Sequence, residues 1–353
     1  MSTSVIADVP PFLSEISGRD KKWDLRKSEA NQLAQLYKGT HFNRLYERIL
    51  ICAEELRFEL ESGVDESNLK LKSARFCRVR HCPICQWRRQ RMWFGRFVNT
   101  LPKMLEDYPS AKFLHLTLTT RNCDVKNLRA TLTDMNKAWT RLSQRKQFKA
   151  VLGWVKAVEI TRNREDGSLW FDTAHPHFHV LLMVKPSYFT GKSYVSHTQW
   201  VQTWRECLRV DYDPTVHVQV IKPKNPLPSS LPEMASVPPN AVPVEFNPDG
   251  TLKATKLPQE MAKAVSEVVK YAVKPQDLVL GGEWLLTLTD QLRGTKAIAL
   301  GGVMKDYIQA PDEDDEELIT AGLESEEAAV GEVEPVVISF GWRERLKHYQ
   351  QQA

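Results

Sequence analysis

The segment from His175 to Val184 contains the pattern His177-Phe178-His179 and continues as a run of apolar residues. Alternate side chains of a β-strand share a face, so the strand would point His177 and His179 the same way and Phe178 into a core. Two imidazoles on one face can bind a divalent metal ion. A strand edge with half-exposed histidines is the simpler alternative, and the pattern alone does not decide between the two.

A carboxylate on the preceding strand would complete such a site. Glu159 lies among apolar neighbours, where a lone carboxylate is costly unless it binds a cation or a hydrogen-bond donor. The turn-rich segment 163–168 predicts a hairpin between this strand and the histidine strand. A hairpin that places Glu159 opposite His177 and His179 would offer two nitrogens and a carboxylate to Mg²⁺ or Mn²⁺. The alternative is that Glu159 faces solvent. His115, on an earlier strand, could also face this group, although an ordinary sheet histidine is the more common case.

A second set of chemically capable residues lies on a helix predicted over about 258–274. Positions four apart share a helix face, so Glu267 and Tyr271 would be neighbours. A tyrosine can attack a phosphodiester if a metal ion polarises the phosphate and a cation, here Lys270 or Lys274, favours the phenolate. Glu267 could then activate water for a second attack. Glu, Lys and Tyr are also frequent on ordinary helix surfaces.

A cysteine cluster precedes these motifs. Cys82 and Cys85 have the spacing of half a zinc site, Cys77 is a third candidate, and Cys52 lies upstream at a plausible distance. The favoured interpretation is a structural zinc ion bound by these four thiolates, with His81 as the alternative fourth ligand. A redox pair is the competing interpretation, but the surrounding pattern is not that of a redox fold.

The net charge of +4 for 353 residues conceals an asymmetry. Eleven of the 44 acidic residues lie within 311–335, which has no Lys or Arg, so 33 acids face 48 basic residues elsewhere. A basic body with an acidic tail indicates nucleic-acid binding, and the tail is predicted to be disordered. Residues 75–96 contain seven arginines and no acid. These candidates for phosphate contacts are Arg75, Arg78, Arg80, Arg88, Arg89, Arg91 and Arg96. The alternative is a solvated helix face.

Other classes of protein are disfavoured. There is no run of 18 apolar residues and no N-terminal signal pattern, which predicts a cytoplasmic protein without membrane contact. Residues 190–193 resemble the end of a phosphate-binding loop, but Pro186 stands where that loop requires glycine, which excludes a nucleotide site.

The elements that must position these residues follow from periodicity. Strands are predicted at 112–120, 153–161, 175–184 and 215–221, with helices at about 124–149 and 196–209. This β-α-β-β-α-β order predicts an α+β fold with a ferredoxin-like antiparallel sheet and helices on one face. Further helices are predicted at 28–60, 86–105 and, in the basic terminal stretch, 336–352. The predicted organisation is a flexible arm (1–20), a helical zinc-binding and DNA-binding module (21–108), the core sheet (109–221), a proline-rich linker (222–257), the tyrosine-helix segment (258–310) and an acidic tail with a basic terminal segment (311–353).

Together these motifs resemble those of plasmid rolling-circle replication initiators of the HUH endonuclease superfamily, and more narrowly the branch that includes the pC194 and pUB110 initiators. Phe113–Thr119 resembles the first, structural motif, His175–Leu181 the histidine motif and Val269–Lys274 the tyrosine motif, in the family's order. The resemblance covers about 45–221 and 258–275. It implies an RRM-like sheet of the HUH nuclease type.

The resemblance also implies a mechanism. Tyr271 would attack one strand at the plasmid's double-strand origin, where a hairpin exposes single-stranded DNA, forming a 5′-phosphotyrosine bond and freeing a 3′ hydroxyl as primer. His177, His179 and Glu159 would hold the metal ion, and Glu267 would activate water for the terminating cleavage. Origin DNA, a host helicase and the replication machinery are the implied partners. A transposase or relaxase with the same chemistry, and a non-catalytic zinc-containing DNA-binding regulator, remain alternatives.

Overall fold

The protein, described here from a computed structural model, is a mixed α+β molecule with antiparallel sheets. The structure describes residues 10–60, 69–190, 193–221, 259–270, 273, 275–279, 281–308, 318–319 and 336–352. The chain divides into two compact units, and the division falls after Arg89. The first unit comprises 1–89, 313–321 and 325–353, and the second comprises 90–312 and 322–324.

The strands of the described residues are β1 Glu55–Leu60, β2 Leu69–Ala74, β3 Lys112–Thr119, β4 Val151–Arg162, β5 Ala174–Val184, β6 Val216–Ile221, β7 Ile298–Gly302, β8 Val337–Arg343 and β9 His348–Gln351. The helices are α1 Leu13–Ile16, α2 Lys22–Tyr37, α3 Asn43–Leu50, α4 Pro83–Asp107, α5 Leu128–Ser143, α6 His197–Leu208, α7 Gln259–Val269, α8 Pro275–Val279, α9 Gly282–Leu292 and α10 Met304–Tyr307. Short 3-10 turns occupy Gly18–Lys21, Val125–Asn127, Lys146–Ala150 and Pro186–Phe189.

The first unit contains a four-stranded antiparallel sheet of order β2-β1-β8-β9, where the sequence predicts only helices. The helix predicted over 28–60 is wrong beyond Leu50, because Leu56 and Phe58 alternate with exposed residues and are buried as a strand. The helix predicted over 336–352 is also wrong. That stretch is the β8–β9 hairpin, and Phe340 pairs with Leu56 and contacts the ring of Phe58.

The predicted flexible arm is ordered over the part that the structure describes. Leu13 in α1 is fully buried, and Phe12 forms a bridge with Gln350 and stacks on the ring of His348. These apolar contacts supply the free energy that a polar arm would lack. Residues 1–9 lie outside the described residues.

The second unit contains a five-stranded antiparallel sheet of order β6-β3-β5-β4-β7. The four strands predicted from periodicity are present, and helices α5 and α6 occupy the connections where helices are predicted. Strand β7 was not predicted, because its sequence ends in two glycines, a composition that disfavours strands. The requirement for glycine is local: a Cβ at Gly301 would lie 2.3 Å from the indole of Trp154 on β4.

Helices cover both faces of this sheet. On one face, Phe178 contacts the ring of Trp204 from α6, and Lys156 donates a hydrogen bond to Asn136 from α5. Helix α7 packs against β4, β5 and β6. Lys270, directly after α7, pairs with Glu159. Because Glu159 projects oppositely to Lys156 in the strand alternation, α7 lies on the other face, whereas α5 and α6, the two helices of the predicted β-α-β-β-α-β pattern, share the first face.

Candidate functional site

The hairpin of β4 and β5 brings the three expected ligands together. Glu159 pairs with His177 across the hairpin, and His179 lies two residues further along the same face. The distance from His179 Nε2 to Glu159 Oε2 is 2.6 Å, and that from His177 Nδ1 to the same oxygen is 3.8 Å. One donor atom from each side chain lies within 4.8 Å of the others, so a single ion can reach all three.

The protonation of this group matches that of metal ligands. Burial alone would raise the pKa of Glu159, but the hydrogen bond with His179 and the ammonium of Lys270 outweigh it and lower that pKa to about 2. Burial, with His175 nearby, lowers the pKa of His177 to about 4. Nε2 of His177 is buried and has no hydrogen-bond partner among the described residues. An ionised carboxylate, a neutral imidazole and an unused ring nitrogen fit a bound cation.

Two residues at the end of α7 complete the polar group. Lys270 Nζ lies 3.2 Å from Glu159 Oε2 and 2.7 Å from Glu267 Oε2. Burial alone would raise the pKa of Glu267, but the hydrogen bond from Lys270 lowers it, so this carboxylate is ionised. Tyr271 and Lys274 lie outside the described residues. Val273, between them, forms a parallel bridge with Ile160, the residue after Glu159.

His115 joins this group, where an ordinary sheet histidine was the favoured expectation. Its ring stacks parallel to that of His179, with centroids 5.7 Å apart and planes at 5°. Burial lowers the pKa of His115 to about 4, and Nε2 lacks a partner in the described part of the chain. Thr117 lies on the same face, with its hydroxyl oxygen 3.4 Å from Nδ1 of His179. The sequence did contain a signal for this position of His115. Side chains alternate along β3, so His115 and Thr117 share a face, and β3 pairs with the histidine strand.

The four predicted cysteines form a second cluster, in the first unit. Sγ of Cys85 lies 3.6 Å from Sγ of Cys52 and 3.6 Å from that of Cys77, and Cys82 lies 3.8 Å from Cys52. Tetrahedral Zn–S bonds of about 2.3 Å imply sulfur separations of about 3.8 Å, and disulfide bonds would be far shorter. All four thiols are buried and unbridged. The cluster therefore has the size of a zinc site with four cysteine ligands.

Lys27 supports the cysteine cluster and was missed by sequence reasoning. Its buried ammonium donates hydrogen bonds to the carbonyl oxygens of Leu50 at 2.5 Å and Cys52 at 2.9 Å, which fixes the turn that presents Cys52. Burial lowers the pKa of Lys27, and the neighbouring cysteines oppose that shift. A lysine within a helix of mixed composition gives no such signal in sequence. His81 is buried but does not belong to the four-ligand group.

The seven predicted arginines do not form one surface set. Arg75 and Arg78 are exposed, and Arg89 donates to the carbonyl oxygen of Arg78 at 2.9 Å. Arg88 is buried, and it donates to the carbonyl oxygens of Leu318 and Ile319. The DNA contact predicted at Arg88 is disfavoured, because its guanidinium has protein partners and little access to solvent. The other members, half-buried, are Arg80, Arg91 and Arg96.

Fold and sites define a mixed α+β protein with two candidate metal centres, one of four thiols and one of two imidazoles and a carboxylate. Residues 68–350 match the model of the replication protein family Rep_1. The chain belongs to this family, and its resemblance to plasmid rolling-circle replication initiators is confirmed.

Individual relatives agree. A "Protein rep" of Bacillus amyloliquefaciens is 30% identical over 351 residues, covering 94% of each chain. A "Protein rep" of Lentilactobacillus hilgardii is 26% identical and covers 96% of each chain. A "Protein rep" of Streptococcus pneumoniae serotype 2 is 35% identical over 58% of this chain and 63% of its own. No solved structure matches. In the described parts of the chain, every helix is too short or too polar to cross a membrane.

Proposed function

We propose that this replication initiator is a site-specific nicking and joining enzyme that acts on single-stranded DNA exposed at its plasmid origin. The observation that carries the proposal is the meeting of Glu159, His177 and His179 with Lys270, the residue directly before Tyr271. The cation that contacts the candidate metal centre is thus the sequence neighbour of a phenol. The sheet supports the proposal, because β3 to β6 adopt the spatial order fourth, first, third, second that is typical of ferredoxin-like folds.

The donor set fits a divalent cation with open positions for substrate. His177, His179 and Glu159 would hold it, and imidazole ligands favour Mn²⁺ over Mg²⁺, which prefers oxygen. When bound, the ion supplies a positive charge that polarises the scissile phosphate. The stacked ring of His115 and the hydroxyl of Thr117 keep His179 oriented for this role.

Tyr271 is the proposed nucleophile. Its phenolate oxygen attacks the scissile phosphorus, an O–P bond to tyrosine forms, and the bond from phosphorus to the 3′ oxygen breaks. The leaving oxygen takes up a proton and becomes the 3′ hydroxyl that primes synthesis. Lys270, and Lys274 four residues further along the sequence, are the cations proposed to favour the phenolate.

Glu267 is the proposed base of the second cleavage. Its carboxylate is ionised and half-buried beside Lys270, so it can accept a proton from a water molecule that attacks a phosphodiester. The Glu267→Ala variant should therefore retain the first nick and lose release. Normal release by that variant would assign termination to another residue.

The zinc cluster and the arginines suggest how origin DNA is held. The first unit, with structural zinc at Cys52, Cys77, Cys82 and Cys85, is proposed to bind duplex DNA through exposed arginines, while the second unit performs the chemistry. A host helicase would then extend the single strand.

The test is incubation of the full-length protein with Mn²⁺ and a labelled single-stranded oligonucleotide from its own origin, followed by a denaturing gel. A covalent protein–DNA adduct that requires metal and vanishes in Tyr271→Phe is the expected result. Origin binding without cleavage, in protein with its full zinc content, would instead identify a DNA-binding regulator. An adduct formed on the ends of a mobile element or a transfer origin alone would indicate a transposase or a relaxase.

A further inference from the structure

The loop between β4 and β5 exposes three large apolar side chains in succession. Leu169 is 97% exposed, Trp170 46% and Phe171 52%. The described residues contain no other run of three exposed large apolar side chains. Isolated exposed apolar residues are normal, but a contiguous group that includes two aromatic rings marks an interaction surface.

The loop holds these rings out on an ordered backbone. Phe171 N donates to the carbonyl oxygen of Ser168 at 3.0 Å, and Thr173 N donates to that of Trp170 at 3.2 Å. At its base, Arg162 forms an ion pair with Asp172. Because the backbone groups are paired, the exposure of the rings is a feature of the folded loop.

The loop lies at the end of the sheet that carries the candidate metal centre. Arg162 and Ala174 are the last pair of the hairpin, three pairs beyond Glu159 and His177. At about 3.3 Å per residue, the loop begins about 10 Å from the metal ligands. The loop that carries Trp170 and Phe171 therefore begins close enough to the centre to contact nucleotides that adjoin a phosphate bound there.

The charged residues near the loop indicate whether it contacts the phosphates or the bases of DNA. Glu165 and Asp166, both exposed at the hairpin tip, would repel phosphates. At the same end of the sheet, just beyond β3, Arg121 lies over the ring of Tyr212 at 3.8 Å. Phosphates are attracted to this exposed arginine, and the rings of the loop remain available to the uncharged faces of bases.

We propose that Trp170 and Phe171 form a platform on which bases of single-stranded DNA stack, next to the scissile phosphate. Stacking needs unpaired bases, so the platform would select exposed single strand over duplex. This inference rests on the proposed function, because it assumes that single-stranded DNA enters the centre at Glu159. Stacking on this platform would add binding free energy that does not depend on the DNA sequence.

The test compares two probes of equal phosphate number: fluorescein-labelled dT20 and a labelled 20-mer of abasic deoxyribose phosphates. Binding is measured by anisotropy without added Mn²⁺. The wild type should bind dT20 about tenfold more tightly than the abasic probe. The double variant Trp170→Ala/Phe171→Ala should lose about tenfold in dT20 affinity and bind both probes alike. Because no phosphate contact is removed, the loss should be the same at low and high salt.

Tyr194→Ala is the matched control. Tyr194 is an exposed aromatic residue beyond the opposite end of β5, so its removal should not change the preference for dT20. Thermal melting should show the same unfolding transition for the double variant as for the wild type. The swap Trp170→Phe/Phe171→Trp keeps two aromatic rings and should restore the preference for dT20 that the alanine variant loses. Failure of this swap to restore it would overturn the proposal.

The proposal is also overturned if the wild type binds both probes equally or if the double variant keeps the preference for dT20. If the double variant binds DNA as the wild type does but no longer self-associates, the loop would instead be a contact surface for a second copy of the chain. The proposed function is judged separately by the Mn²⁺-dependent adduct. If the adduct forms and the double variant still prefers dT20, only the stacking proposal is contradicted. If binding depends on bases but no adduct forms, only the proposed nicking chemistry is contradicted.

Discussion

A single oxygen, Oε2 of Glu159, is the point where the charged groups of the candidate site meet. His179 Nε2 and Lys270 Nζ both lie within hydrogen-bonding distance of it, at 2.6 and 3.2 Å. A metal ion bound by this carboxylate would lie near the ammonium of Lys270, and like charges repel. On the proposed function, Lys270 would therefore weaken metal binding while it favours the ionised phenol of Tyr271.

Replacement of Lys270 should separate these two effects. We expect Lys270→Met to raise the affinity for Mn²⁺ by about tenfold, because one positive charge leaves the ligand oxygen, and at the same time to lower nicking. Titration of zinc-loaded protein with Mn²⁺, followed by electron paramagnetic resonance, measures the affinity. Lys263→Met, an exposed position on the same helix α7, should change neither quantity. A weakened Mn²⁺ affinity in Lys270→Met would contradict the repulsion.

Lys156 is a buried cation on the opposite face of the same sheet. Its ammonium donates to Asn136 at 2.6 Å and lies 3.8 Å from the ring centroid of Phe178, and it is only 5% exposed. Burial lowers the pKa of Lys156 to about 8. Because the unfolded chain keeps the ordinary higher pKa, folding is disfavoured by this charge below pH 8, and the penalty fades as the pH rises towards 10.5.

The variant Lys156→Met should therefore be more stable than the wild type at pH 7, by about 1–3 kcal/mol in the free energy of unfolding. The difference should shrink between pH 8 and pH 10, where the wild-type lysine becomes neutral. Urea unfolding at several pH values measures it, with the exposed Lys137→Met as control. A constant difference across this range would show that packing, and not charge, is responsible.

At the scale of elements, the sequence predicts the second unit better than the first. Strands β3 to β6 lie close together in the chain and carry apolar alternation, so their periodicity and the hairpin turn indicate their pairing. The sheet of the first unit pairs β1 with β8, segments about 280 residues apart, and no local pattern reveals that register. The same reasoning explains which site residues could be predicted. His177, His179 and Glu159 share one hairpin, so the sequence indicates that they meet. The contacts of His115 with His179 and of Lys27 with Cys52 join different elements, and no local pattern reveals them.

The cysteine cluster brings together the ends of three elements. Cys52 follows α3, Cys77 follows β2, and Cys82 and Cys85 flank the start of α4. A tetrahedral ion bound by these thiols would close the loops between a helix, a strand and a second helix. Structural zinc of this kind contributes directly to folding, because no preformed site exists in the unfolded chain.

Cys82→Ser should reduce the bound zinc from one ion per chain to none and lower the free energy of unfolding by more than about 4 kcal/mol. Metal analysis and guanidinium unfolding measure the two quantities. A strong chelator should destabilise the wild type and leave the variant unchanged. Cys123→Ser, at a half-buried thiol outside the cluster, should retain zinc and stability. Full zinc content in Cys82→Ser would make another residue, such as His81, the fourth ligand.

At the scale of the whole molecule, charge separates into a basic body and an acidic segment. All 48 Lys and Arg residues lie outside 311–335, and 11 of the 44 acids lie within it. Long-range attraction to DNA depends on the total charge, but the salt dependence of binding counts the phosphates that are contacted. The structure distinguishes arginines that can make such contacts from those that serve the fold.

Arg78 and Arg88 form a matched pair for this distinction, one exposed and one buried, ten residues apart. We expect Arg78→Gln to weaken binding to duplex origin DNA uniformly and to reduce the slope of log K against log salt by about 1. Arg88→Gln should leave the slope unchanged and lower the free energy of unfolding by about 1–3 kcal/mol, because the carbonyl oxygens of Leu318 and Ile319 lose their donor. Filter binding across 50–200 mM salt, with urea unfolding in parallel, measures both. A reduced slope for Arg88→Gln with unchanged stability would place that guanidinium on DNA, and the carbonyl contacts would then not represent the DNA-bound protein.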